Sequence, residues 1–170
     1  KKLKPEKVDH VEAGISRFFG SKARAELTYF YDKGSNRLLI ITSPPPLHYE
    51  NIARFERQGL EATLNFNPAK EFSFFVGGTW LARKSPENLP YSPRWMVSAG
   101  MNWKPCGFVK ISFDTLYQDD QYVANNRFVG YGAGIVKVDG FWILNGKISG
   151  EFEWKEKMEG EIFLAGENLT

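Results

Sequence analysis

At 170 residues the chain is long enough for one domain with a substantial apolar interior. A net charge of +2 on a chain that is 25% charged, with basic residues scattered among acids, leaves no footprint for nucleic acid. The single cysteine, Cys106, excludes a disulfide framework or a cysteine-based zinc site, and His10 and His48 lie too far apart to suggest a histidine-rich metal site.

No run approaches the roughly 20 apolar residues of a membrane helix. The nearest, Leu38-Leu39-Ile40-Ile41, stops at Thr42-Ser43-Pro44. The start, KKLKPEKVDH, lacks the apolar region of a signal peptide, so either the protein is not exported or this chain starts inside a longer one.

Period-two alternation organises the rest. A first strand is expected over 8–19, with Val11, Ala13 and Ile15 on one face. A second runs over 23–42 (Ala23, Ala25, Leu27, Tyr29, Tyr31), with a breaking point at Lys33-Gly34-Ser35-Asn36. A third, 56–66, carries Leu60, Ala62, Leu64 and Phe66; after the turn at Asn67-Pro68-Ala69-Lys70, a fourth over 70–83 carries Phe72, Phe74, Val76, Gly78, Trp80 and Ala82. The fifth, 93–104, presents Trp95, Val97, Ala99, Met101 and Trp103. The sixth, 107–122, presents Val109, Ile111, Phe113, Thr115 and Tyr117. The seventh, 138–154, presents Trp142, Leu144, Gly146, Ile148, Gly150, Phe152 and Trp154, and the eighth, 156–168, Met158, Gly160, Ile162, Leu164 and Gly166. None of these positions is charged. The opposite phase carries Glu12, Arg24, Glu26, Arg57, Glu61, Arg83, Arg94, Lys110, Asp114, Lys147, Glu151, Glu159 and Glu161.

Short connections (20–22, 67–70, 104–107, 154–156) alternate with long ones at about 43–55, 84–92 and 123–137. In an up-and-down meander this places every short turn at one end, the asymmetry of outer-membrane barrels. A soluble β-sandwich also separates apolar from polar faces, but three features favour lipid. The stripes are five to seven positions long, whereas whole strands average about 5–6 residues. Trp95 and Trp103, eight residues apart on one face, are separated by about 26 Å along a strand. When the strand is tilted, that separation fits an apolar band between two aromatic girdles. Glycines stand within the stripes, where lipid fills gaps at no cavity cost. In hydrocarbon an unpaired backbone group costs several kcal/mol, so the sheet must close, with its charged phase towards a hydrated lumen or a plug.

Little here suggests catalysis. Asp114, Asp119, Asp120 and Glu151 are read as lining a hydrated wall or a loop, and GYGAG at 130–134 as a loop, since it leads into a strand and not a helix. No Ser/His/Asp set is recoverable, and neither a cofactor nor a metal site is expected. His48 and Tyr49 beside a proline run, and Asn125, Asn126, Arg127 and Tyr131, form polar-aromatic clusters suited to ligand capture at a barrel mouth, or equally to loop self-packing.

Several stretches in series resemble the C-terminal part of the barrel of TonB-dependent outer-membrane receptors. They are Leu3-Lys4-Pro5-Glu6 followed by HVEAGI with Glu12 and Gly14; AELTYFYDKGSNRLLI; Asn51 with Gly59-Leu60-Glu61; LPYSPRWMVSAGMNW with Pro93; and AGENLT. The resemblance implies about eight strands of a 22-stranded antiparallel barrel in a Gram-negative outer membrane, over residues 1–170, with plug domain and final strand outside the chain. It further implies import of a ferric siderophore, haem or cobalamin, with TonB as partner acting through the plug. Two rivals remain: a complete eight-stranded barrel with a structural or pore role, and a soluble β-sandwich binding module.

Overall fold

The structure, a computed structural model, describes residues 3–41, 46, 48–51, 54–85, 89–124, 135–154 and 158–170. Twelve strands are present among them, and no helix. They are β1 (Lys7–Phe19), β2 (Ala23–Ser35), β3 (Leu38–Ile41), β4 (His48–Asn51), β5 (Phe55–Ala69) and β6 (Phe72–Ser85). Then follow β7 (Trp95–Cys106), β8 (Val109–Gln118), β9 (Gln121–Ala124), β10 (Ile135–Val138), β11 (Phe141–Trp154) and β12 (Met158–Gly166). Eight of them form one antiparallel sheet in the order β1-β2-β5-β6-β7-β8-β11-β12, an uninterrupted meander. Two hairpins, β3–β4 and β9–β10, lie in two of the long connections.

Each extra hairpin revises a boundary. The expected strand 23–42 breaks where anticipated: Asn36 takes φ 58°, and β3 leaves the wall to pair with β4. Likewise β8 ends at Gln118, and the chain turns into β9 before β11 resumes the wall.

The cross-strand register keeps apolar positions on one face over the whole sheet. Phe19, Ala23, Phe66, Phe74 and Met101 form one row. Ile111, Ile148 and Leu164 form another. Ile162 and Leu164 are 71% and 75% exposed, and every contact between elements is between hydrogen-bonded neighbours. No second sheet covers either face among the described residues, so the sandwich reading fails. Trp80 stacks on Trp95 with ring centroids 5.8 Å apart, and Tyr117 lies 4.7 Å from Trp142, forming one aromatic girdle at the long-connection end.

β1 and β12 do not touch, so the eight strands leave an open sheet and not a small closed barrel. Free edges in lipid are untenable, and further strands must pair with both. Midway between Trp95 and Trp103, Ala99→Arg should therefore destabilise the barrel by about 2–4 kcal/mol, while Ala99→Leu should stay within about 0.5 kcal/mol. Urea unfolding in vesicles measures both.

Two expectations need correction. A bulge on β6 shifts its phase: Gly59 pairs with Leu81 but Gln58 with Arg83, so Arg83 falls in the outward register and Lys84, opposite Arg57, takes the lumen phase. Nor are all the outward gaps left to lipid. A Cβ at Gly146 meets open space, but one at Gly160 would strike the Phe152 ring.

Candidate functional site

The lumen face is most densely built near the long connections. The tight turn at Gly20–Lys22 sets the β1–β2 register, placing His10 opposite Asp32, and the β2–β5 pairing places Asp32 opposite Arg57. His10 Nδ1 lies 2.5 Å from Asp32 Oδ1, and Arg57 Nε donates to Asp32 Oδ2 at 2.5 Å. The other ring nitrogen of His10, Nε2, is 3.2 Å from Glu12 Oε2. Three strands are thus tied through one carboxylate that is only 3% exposed as a residue. A carboxylate so buried is stable only when its oxygens are taken by charged or polar donors.

Above this network residues 89–94, in the connection from β6 to β7, fold across the sheet. Leu89 is 1% exposed, and Pro90, Ser92 and Pro93 are buried. Lys84 Nζ donates to the Ser92 carbonyl at 3.0 Å, and the Tyr91 N–H to the Tyr122 carbonyl at 2.8 Å. Between buried neighbours, Tyr91 alone is exposed, and its φ of 57° lies in the left-handed region that a tyrosine rarely adopts. Such strain persists only where the surroundings enforce it. The strap and the ion network enclose a recess of about 210 Å³, lined by His10, Glu12, Asp32, Arg57, Glu61, Thr79, Tyr91, Ser92 and Met96, among others.

His10, Asp32 and Arg57 in this recess are engaged with one another. Both nitrogens of His10 face carboxylates, Cys106 ends β7 at the opposite end of the sheet, and no cluster of metal-ligating side chains occurs among the described residues. The acids singled out in the sequence are separately partnered. Asn145 donates to Asp114 at 2.7 Å, Lys104 to Glu151 at 2.7 Å and Tyr117 to Asp119 at 3.4 Å. Lys137 lies 3.0 Å from Asp120 at the base of β9–β10, and its ammonium holds that carboxyl below its ordinary range.

Of the candidate ligand residues, His48 and Tyr49 stand in β4, not in an irregular loop. His48 Nδ1 donates to the Pro46 carbonyl at 2.8 Å, its Nε2 is 3.6 Å from Glu50, and the Tyr49 side chain is exposed. Asn125, Asn126, Arg127 and Tyr131 lie outside the described residues, as does the GYGAG stretch. The residues that sequence reading missed are Asp32, Arg57 and Tyr91 as one site. The β1–β2 register was recoverable from the turn; the strap's course was not.

A further tie joins two distant stretches. The Lys4 N–H donates to Asn51 Oδ1 at 2.8 Å, while Asn51 Nδ2 donates to the Lys4 carbonyl at 2.9 Å and the Asn36 carbonyl at 2.6 Å. Asn51→Ala removes all three bonds, and at about 1 kcal/mol each it should free the 3–6 segment. Faster amide exchange at Lys4, without change in β5 or β6, would register this; unchanged exchange would contradict the assignment.

Comparison with known proteins gives a consistent picture. The family model described as TonB dependent receptor-like, beta-barrel matches residues 1–169. Among solved structures, the ferric-catecholate import receptor Fiu of E. coli K12 aligns over 98% of this chain and 24% of its own, at 16% identity and TM-score 0.70. FpvA of P. aeruginosa, bound to heterologous pyoverdines, aligns over 96% and 23%, at 18% identity and TM-score 0.67. The copper transporter OprC aligns over 99% and 26%, at 15% identity and TM-score 0.69. At these identities the likeness is one of fold, and the chain spans about a quarter of the length of each structure. No curated protein matches the sequence.

Proposed function

Because this chain belongs to the TonB-dependent receptor-like β-barrel family, whose members are transporters and not enzymes, we propose that it forms the C-terminal part of the wall of an outer-membrane importer. Its cargo is a scarce ligand of the ferric siderophore, haem or cobalamin class, and TonB supplies the energy through a plug domain encoded elsewhere in the protein. The observation that carries this reading is the sheet itself: eight strands long enough to span a bilayer, with one predominantly apolar face and one charged face carrying the recess. Support for the ligand class comes from neighbours of the same fold. Fiu is a ferric-catecholate import receptor and FpvA is seen with iron-loaded pyoverdines.

OprC, a copper transporter, supports a second cargo and sets the control. Cells lacking the gene should lose uptake of radiolabelled iron chelates but not of radiolabelled copper. Collapse of the proton gradient should abolish the same uptake in unaltered cells. Uptake of iron chelates, labelled cobalamin and copper that all persists in the deletion strain, or uptake that ignores the gradient, overturns the import reading; loss of copper uptake alone moves the cargo to copper.

A further inference from the structure

The outward rows between the aromatic girdles hold one charged side chain among the described residues, and its place is specific. On β1 the apolar series Val11, Ala13, Ile15 continues to Arg17 and then Phe19. Arg17 pairs in register with Ala25, and Ala25 with Leu64, both outward positions. The Arg17 guanidinium lies 5.1 Å from the centroid of the Phe19 ring, and it forms no ion pair among the described residues. Lys22, exposed in the adjoining turn, likewise has no carboxylate partner among them.

An unneutralised cation on this face has a cost that depends on depth. It is greatest at the bilayer midplane and small near the interface. Arg17 stands two residues from the end of β1, which at about 3.3 Å per residue puts it roughly 7 Å along the strand from the turn. That is comparable with the headgroup zone, about 5–7 Å on each side of the hydrocarbon. Its aliphatic stem can lie on lipid while the guanidinium reaches the phosphate layer, and a planar guanidinium matches a phosphate with two parallel bonds. The small side chains of Ala23 and Ala25, beside Phe19 and Arg17 on β2, leave the approach open.

We infer that Arg17, with Lys22 in the turn, holds the phosphate of a phospholipid in the leaflet at the short-turn end, a lipid site on the barrel wall distinct from the recess in the lumen. The inference rests on the outward rows facing lipid, but not on what the receptor imports.

The test uses the full-length receptor, solubilised in a mild detergent and exposed to phosphatidylglycerol, to diacylglycerol and to glycerol phosphate, with retained lipid counted by native mass spectrometry. Phosphatidylglycerol should be retained, diacylglycerol should not, and glycerol phosphate should fail to compete. Arg17→Gln should lower retention about five- to tenfold, Arg17→Lys less, and Lys22→Gln by a smaller factor. Equal retention by Arg17→Gln overturns the site, and effective competition by glycerol phosphate makes it a free-phosphate site. If Arg17→Gln lowers barrel stability but leaves retention unchanged, Arg17 is neutralised by an acid on the strand beyond β1, and the inference falls. A variant that does not insert leaves the lysine variants to decide. If the unaltered receptor itself fails to insert in a bilayer, it is the membrane reading that fails.

Discussion

Gly59→Ala is expected to stop the receptor reaching a folded barrel. A Cβ at Gly59 would sit 2.2 Å from the Trp80 carbonyl oxygen and 2.9 Å from the Phe30 ring. The first contact is with backbone, so no rotamer change relieves it, and β5 and β6 would have to separate where the bulge already weakens their pairing. The separation would expose ladder groups that hydrocarbon cannot satisfy. A loss of more than about 4 kcal/mol belongs to this class of clash. The control is Gly146→Ala, where a new Cβ meets nothing within 4 Å, and which should change stability by less than about 0.5 kcal/mol. The assay is the gel shift between heated and unheated receptor from outer membranes. A normal folded band for Gly59→Ala would mean that the close approach of β5 and β6 is wrong.

Asp32→Ala should be the next most damaging change. It deletes the acceptor shared by His10 and Arg57 and leaves a guanidinium on the lumen wall without its partner. Two charge-assisted bonds at about 1.5 kcal/mol each set the scale at about 3 kcal/mol. Arg57 and His10 are roughly half exposed, so water recovers part of the loss. Asp32→Asn, which keeps the shape and one acceptor, should lose about half as much. Urea midpoints of the full-length receptor in vesicles give both values. If Asp32→Ala falls within about 0.5 kcal/mol of the unaltered protein, the network does not brace β1, β2 and β5.

The wall was legible in the sequence because lipid enforces the pleat: a one-residue slip in any strand would turn its charged phase outward. Hence Trp95 to Trp103 and Leu60 to Phe66 fall where period-two reading puts them. The reading failed where another force takes over from the pleat. At Ala82 the missing side chain of Gly59 admits a bulge, and alternation cannot announce it. Beyond the girdle, β3 pairs with β4 and β9 with β10; period-two reading runs β3 on into the second strand and leaves β4, and most of β9 and β10, in the long connections.

The motifs behind the family resemblance have physical causes that appear only in three dimensions. Lys4 and Asn51, 47 positions apart, bond to each other. Asn168, at φ 52°, occupies a left-handed position that asparagine tolerates. Its N–H is bonded to Asn145 Oδ1 at 3.0 Å, and Leu169 resumes pairing with the Leu144 carbonyl at 2.9 Å. The recess was the least legible part, because its strap is placed by burial of Leu89 and by bonds to β6 and to β9, contacts without a local sequence pattern.

The claim on which everything else stands is that one face of this sheet meets lipid and the other a lumen. In a Cys106→Ser background of the full-length receptor, nitroxide labels at Met96, Val97, Ser98, Ala99, Met101 and Asn102 of β7 would be compared for collision with oxygen and with a water-soluble nickel chelate. Labels at 97, 99 and 101 should favour oxygen, and those at 96, 98 and 102 should not. Equal access of the chelate to all six positions, or the reverse alternation, would contradict the account.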